Sequence, residues 1–367
     1  MTTIHPAIRA EIHMSTQDLR ADIAFFTDVL GMRMDAIWPA DDPAVALLSG
    51  HGLHLRLDRH ATTAPAMLRI LTDDPDGFAG GARSLTAPNG TRVDIDALTP
   101  PMVIPPTLHS FAVRRLKDGA PWVVGRAGMM YRDLVPDRLG GAMIASHIRI
   151  PDGGPVPDSV HFHRIGFQLI FCIAGWVDVV YEDQGPPMRL TPGSCFIQPP
   201  QIRHRVLTAS DGIEVIEIGV PADHVTEIDH AMTLPTPHLR PDREWDGQRF
   251  VWNTPDGAVW QPHRLTGYVA RDTTIAANTQ GVAGVLVVRP DGAAPRWHTH
   301  SGDILFTYVM AGGMVLQADG QPDMAVEQGD AFVIPPGLRI RYAAPSPDLE
   351  LLEVALPGRV ETQEEAS

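Results

Sequence analysis

Two stretches of this chain repeat one another, and that duplication limits the fold more than any other feature. Residues 127–222 carry IRIPDGG (148–154), HFH (161–163), AGW (174–176), PGSCFIQPP (192–200) and His204. Residues 262–357 carry VVRPDGA (287–293), HTH (298–300), AGG (311–313), QGDAFVIPP (328–336) and then Tyr342. The signals run in the same order with strand-length gaps between them. Turn signals such as Ala174-Gly175, Gln184-Gly185-Pro186 and Pro192-Gly193 separate short apolar runs, a pattern of β-strands and tight turns. The 33 Gly and 34 Pro spread along the chain fit the same mainly β reading. Two similar β-domains are therefore expected, joined by residues 223–261, which contain TLPTPHLRPDREW.

Within the first copy, His161 and His163 stand two apart, so on a strand they share a face. His204, from a later strand, can complete a metal-binding face. Neutral imidazoles bind first-row divalent metals, and three of them leave positions open for water, substrate or oxygen. In the second copy, His298 and His300 form a candidate second site that needs another donor, Asp303 or Tyr342. The alternative there is a vestigial domain kept for packing and dimerisation.

The repeated pattern resembles the cupin superfamily, and the pair resembles a bicupin. The resemblance covers about 200 residues and rests on both motifs occurring twice in order. It implies two double-stranded β-helix barrels. In copy one it maps onto Gly154, His161, His163, Gly175, Gly193 and His204; in copy two onto His298, His300, Gly312 and Gly329. The family's glutamate position falls on Gln168 in the first copy and Leu305 in the second, and the third-histidine position of the second falls near Ile340. A three-histidine site with no carboxylate keeps the metal's full +2 charge, which favours anionic, chelating substrates. Gln168 is then a weak ligand or a hydrogen-bonding neighbour, and Gln198 can face the cavity.

Gentisate- and hydroxynaphthoate-type bicupin dioxygenases use three histidines in this way. The resemblance therefore implies Fe(II)-dependent cleavage of a C–C bond in a small enolic, phenolic or keto acid, with Zn, Ni or Mn as other metals. Two alternatives stand beside it. One is an isomerase, epimerase or lyase using the metal as Lewis acid. The other is a non-catalytic cupin that binds a small molecule. Arg164, Arg203 and Arg205 flank the ligands, but strand alternation directs Arg203 and Arg205 away from the face of His204.

Residues 1–98 read as a separate α+β module of order β-α-β-β-β. Leu19, Ile23, Phe26 and Leu30 recur at helical spacing, with Ser15, Thr16 or Asp18 as cap and Gly31 as stop. Strand-like pieces follow at 45–48, 53–57, 67–71 and 91–95. The runs DLRADIAFFTDVLGM and APNGTRVDI resemble the vicinal-oxygen-chelate (glyoxalase/bleomycin-resistance) superfamily. Its ligand positions map onto Glu11 and Asp94, with His13 and His54 nearby. A single module of this kind needs a second to build a cup, so a homodimer or a neighbouring domain is expected. Residues 99–126 open with TPPMVIPPT and read as a linker, and 358–367 as an acidic, solvated tail.

The net charge of −15 leaves no basic tract to neutralise phosphates, which argues against a nucleic-acid partner. No run of 18 apolar residues suggests a membrane span, and the start lacks a signal-peptide core. With only Cys172 and Cys195, no disulfide framework is indicated and a reducing cytoplasm is the default. Cys195 reads as a small core residue rather than a nucleophile. Trp176, Trp252, Trp260 and Trp297 read as packing groups, and Glu182 and Asp183 as a hairpin tip.

Overall fold

A computed structural model describes residues 9–365. The first eight residues of the 1–98 module and the last two of the acidic tail lie outside the described residues. The described chain divides into one unit ending at Pro101 and another beginning at Met102.

In the first unit, Asp18 caps the helix Leu19–Ala24, its carboxylate accepting from the Ala21 amide. The helical run continues to Val29, and Gly31 leaves it at φ +69°. A strand absent from the sequence reading, Arg33–Trp38, follows. It completes a four-stranded sheet in which Ile12–Ser15 pairs in parallel with Leu53–Asp58. Met67–Thr72, Ser84–Thr86 and Arg92–Ala97 form a separate three-stranded sheet. Both sheets pack on one core that includes Phe26, Leu30, Leu48, Leu57, Val93 and Ile95.

The second unit holds both repeats, and each repeat is a pair of sheets. In the first, a seven-stranded sheet is centred on Phe167–Ala174 and Ile213–Val220. Facing it is a sheet containing Val177–Tyr181, His204–Ala209 and His161–Arg164. The second repeat copies this with Ile304–Ala311 and Glu350–Leu356 in one sheet and Gly313–Ala318, Ile340–Ala343 and His298–His300 in the other. The arrangement is thus two β-sandwiches.

The sandwiches exchange edge strands. Ala112–Arg114, from the stretch read as a linker, pairs with Ala331–Val333 of the second sandwich. Val251–Asn253, which precedes the second repeat, pairs with Cys195–Ile197 of the first. Each exchange removes an edge that would otherwise expose unpaired N–H and C=O groups. A continuous apolar core joins the two, with Phe167, Phe171, Ile216 and Ile218 on one side and Phe306, Tyr308, Leu352 and Val354 on the other. At the tail, Thr362–Glu364 pairs with His298–His300.

Two buried arginines repeat the exchange at the side-chain level. Arg132 donates through Nη2 to the Gly329 carbonyl at 2.6 Å and to His147 Nδ1 at 3.1 Å. Arg271 donates through Nη2 to the Gly193 carbonyl at 2.6 Å. Gly193 (φ +81°) and Gly329 (φ +92°) are the matching turn glycines of the two repeats. Because Arg132 donates to Nδ1, the His147 proton sits on Nε2 and goes to Glu214 at 2.7 Å. Arg132 has no carboxylate on it and is fully buried. Removing it strands the Gly329 carbonyl and the His147 nitrogen and leaves a hole. Arg132→Ala should lower unfolding free energy by about 3 kcal/mol or more in chemical denaturation. A loss below about 1 kcal/mol would show that the clamp contributes little.

Candidate metal centre

His161 and His204 are direct partners across the pairing of their two strands, and His163 lies two residues along the first. One donor nitrogen from each of the three comes within 4.8 Å of the others. All three are buried, at 0%, 7% and 2% exposure in chain order. Their outer nitrogens are already engaged. His161 Nδ1 faces the Ser159 carbonyl at 2.8 Å, and His204 Nδ1 the Ile202 carbonyl at 3.0 Å. A carbonyl can only accept, so in both rings Nδ1 carries the proton and Nε2 offers its lone pair inward. His163 Nδ1 meets the Thr226 hydroxyl at 2.9 Å. Such outer contacts fix the tautomer and orientation of metal-ligating histidines.

Burial is the main cause holding these imidazoles neutral. Burial and then the neighbouring His161 and His224 push His163 down to about 2. His161 is lowered by burial and by Arg126, and His204 falls well below the ordinary histidine value through burial and its two partners. Three neutral imidazoles with convergent lone pairs fit a first-row divalent cation.

The site opens on a cavity of about 620 Å³. Gln168 and Gln198 both line it. Gln168 Nε2 donates to Glu217 at 2.6 Å, while its Oε1 is buried without a protein partner. That free oxygen is the feature that suits Gln168 to a metal, a water or a substrate. Gln198 Nε2 donates to the Tyr181 hydroxyl at 2.9 Å, which fixes its amide at the wall. Ile148, Ile170, Val179 and Phe196 supply apolar surface for a small ring or chain.

Several cavity residues escaped the sequence reading, Glu217, His224 and Arg126 among them. Glu217 is the carboxylate beside Gln168, and desolvation raises its pKa. Its sequence signal is an acid on the inward phase of the apolar strand IEVIEIGV. His224 lies with its ring 5.6 Å from that of His163. Arg126 donates through Nη1 to Asp158 at 2.5 Å, and its Nη2 lies 3.0 Å from His161 Nε2. No periodicity marks Arg126, which ends the Pro-rich stretch read as a linker.

Other expected residues lie elsewhere. Arg164 pairs with Glu227, and Arg203 with Asp229 while covering the Phe162 ring; neither lines the cavity. Arg205 is exposed, as alternation requires. Glu182 and Asp183 lie in the turn between Val177–Tyr181 and its antiparallel partner Met188–Leu190, as the hairpin reading expected, but both are buried and accept from Arg243. Cys195 is fully buried, and burial pushes its thiol up to about 12, as expected for a core residue. Asp303 does not join His298 and His300. It is exposed, and its carboxylate accepts from Thr107 at 2.6 Å and meets His109 at 2.7 Å. In the first unit, Asp94 lies on the three-stranded sheet and accepts from Ser84 and Arg92, whereas Glu11 precedes a strand of the other sheet. His13 is exposed and His54 half-buried. Among the described residues, those four do not gather into a metal-binding group of His, Cys, Asp or Glu.

Two outcomes test this geometry. Thr226→Val frees His163 Nδ1 and should weaken divalent-metal affinity by roughly 10–100-fold, read by competition with a chromophoric chelator. Below about pH 6.5 the unfolded chain takes up protons that the folded triad refuses. Stability of the metal-free protein should therefore be full above that pH. It should fall as acid approaches the folded values, by up to ~1.4 kcal/mol per pH unit for each histidine. Denaturant midpoints at pH 7 and pH 5 measure this, and a higher midpoint at pH 5 contradicts it.

The cupin domain family matches residues 284–354, the core of the second repeat. No curated protein matches the sequence. Among solved structures, salicylate 1,2-dioxygenase from Pseudaminobacter salicylatoxidans is similar at 16% identity and a TM-score of 0.52, over 72% of this chain and 91% of that one. Oxalate decarboxylase from Lactobacillus farciminis is similar at 13% identity and a TM-score of 0.52, over 70% of this chain and 89% of that one. The Bacillus subtilis oxalate decarboxylase gives 13% identity and a TM-score of 0.52, over 73% and 82%. No helix among the described residues is long and apolar enough to cross a membrane. Residues 284–354 thus match the cupin domain family, and the fold of this chain is similar to that of the salicylate dioxygenase and oxalate decarboxylase structures.

Proposed function

We propose that the first sandwich is the active site of an Fe(II)-dependent dioxygenase that cleaves a carbon–carbon bond in a small enolic, phenolic or keto acid. The observation that carries this is the donor set: three neutral, pre-oriented imidazoles within 4.8 Å, with no carboxylate among them. Such a set leaves a bound cation its +2 charge and open positions, which suits Fe(II) to activating dioxygen beside a chelated anionic substrate. Salicylate 1,2-dioxygenase, one of the similar structures, supports the reading and has been seen with gentisate bound.

The surrounding residues have separable tasks. His161, His163 and His204 would hold the cation through Nε2. Arg126 now lies 3.0 Å from His161 Nε2, and a guanidinium and a metal cannot share that lone pair. A bound cation would displace Arg126 from that nitrogen, and its fork would suit a substrate carboxylate in the cavity it lines. Gln168 Oε1 and the Gln198 amide, each tied at its far side, orient polar groups of the substrate. Burial and then Glu217 push Tyr131 up to about 12, so its phenol stays a neutral donor on the cavity wall. The apolar wall excludes water from the rest of the substrate.

Protein purified and iron-loaded without oxygen should take up dioxygen when given gentisate, salicylate or a related chelating acid. His161→Ala should abolish uptake. Arg126→Met should raise KM for a carboxylate substrate roughly 10–100-fold, with a smaller change in kcat. Turnover of such acids, or of oxalate, without net oxygen consumption sinks the dioxygenase reading in favour of a lyase or isomerase on the same metal. Failure to bind any divalent metal sinks both.

A further inference from the structure

A second cavity, of about 570 Å³, lies where the two sandwiches meet, and its size is that of a small-molecule pocket. It is separate from both interiors. The histidine triad lies in the first sandwich, and His298, His300 and Tyr342 are buried in the second; none of these lines it. Its walls come from matching positions of the two repeats. Ala174 pairs with Glu214 and Ala311 with Glu350, and all four line the cavity. The turn glycines Gly193 and Gly329 line it as well.

Charge on this wall is unbalanced. Arg149 donates to Glu214 through Nε and Nη2 at 2.9 and 2.5 Å. Arg289 donates to Glu350 in the same way at 2.9 and 2.6 Å. Each of these pairs cancels its own charge. Arg271 differs. Its Nη2 donates to the Gly193 carbonyl at 2.6 Å, and its Nη1 to Asn253 Oδ1 at 2.7 Å and the Thr254 carbonyl at 3.4 Å, all neutral acceptors. Burial lowers the His147 pKa, so that ring adds no charge. Three arginines against two glutamates leave one positive charge on the wall, on a residue only 4% exposed.

The repeat shows why this arginine meets the cavity. Arg132 and Arg271 hold matching places, Arg132 pairing across its strands with His147 and Arg271 with Val287. His147 Nδ1 accepts from Arg132, whereas the Val287 side chain can accept nothing. Arg132 is fully buried and does not line the cavity; Arg271 does. A cation facing a cleft is screened less than one in bulk water, so an anion gains more beside it. Ile173, Met310, Pro255 and Trp260 supply apolar wall, and the Arg289 guanidinium stacks 4.3 Å over the Trp260 ring and steadies it.

We propose that this cavity is a second small-molecule site, for a monocarboxylate with a compact apolar body. One carboxylate balances the one unpaired positive charge and suits the Arg271 guanidinium. A dianion would bring surplus negative charge against Glu214 and Glu350. The apolar body packs on Trp260, Met310 and Ile173. The site needs neither the histidine triad nor its cation.

4-Azidobenzoate serves as the probe, irradiated on the full-length protein, with labelled peptides mapped by mass spectrometry. Label should enter peptides that carry Trp260, Met310 or Ile173. Excess benzoate should protect them, and benzyl alcohol, its neutral analogue, should not. Arg271→Met should weaken benzoate protection roughly 10–100-fold. Met310→Trp fills the cavity while leaving the Arg271 contacts in place, and it should abolish the label at Trp260. Near-ultraviolet circular dichroism verifies the packing of each variant. Protectable label confined to the first cavity overturns the proposal. So does equal protection by benzyl alcohol, or cavity label that survives both variants. Label in the first cavity answers to Arg126→Met instead, so this proposal and the dioxygenase reading fail separately.

Discussion

The exchange of edge strands between the two sandwiches is the constraint on which the rest depends. Phe167–Ala174, the strand carrying Gln168, pairs on one side with Cys195–Ile197, which pairs in turn with a strand supplied from beyond the first repeat. The other sandwich is completed by Ala112–Arg114 in the same way. Hydrogen bonds along these strands fix register, and register decides which side chains face inward. A slip of one residue would turn Gln168 out of the cavity. Arg132 and Arg271 hold the exchange from both sides by binding the turn glycine carbonyl of the opposite sandwich.

Inside that shared frame the two interiors have diverged. In the first, Arg126 stays at the cavity mouth on Asp158 and His161, and Glu217 is left to Gln168. In the second, Arg264 holds the matching position four residues ahead of its strand but reaches in to bind Glu353, the counterpart of Glu217. Burial alone would raise the Glu353 pKa, yet Arg264 and His263 outweigh it and hold the carboxyl below its ordinary value. With Leu305, Ile340 and Tyr342 packed beside the pair, the second interior is mostly a solid core. One arginine position thus pairs with Asp158 beside the histidine triad in one copy and with the buried Glu353 in the other.

The parts legible in the sequence were those set by local repetition. His161, His163 and His204 could be placed because strand period and motif spacing act over short distances. The same reasoning aligned Ile340 with His204, and the register of the two strands agrees. What stayed hidden depends on distant pairing. Arg126 belongs to a stretch with no apolar period, and only folding brings it to His161 across 35 residues. Ala112–Arg114 is three residues long and finds its partner more than two hundred residues away. Glu182 and Asp183 follow a strand as a turn would, yet Arg243 from the connecting segment covers both. The strand Arg33–Trp38 was missed because all its residues but Ala36 are exposed, so its sequence carries no inward–outward alternation.

The laced seam also bears on how such a chain can be taken apart. Neither sandwich is a portable module. Cutting between the repeats at residue 223 would leave the first without Val251–Asn253 and would leave the second without Ala112–Arg114. Each fragment would then present an open, apolar-backed sheet edge, the kind of surface that recruits strands from other molecules. Because each copy is completed by the strand that precedes the other, the seam has the reciprocal form of a swapped pair held within one chain.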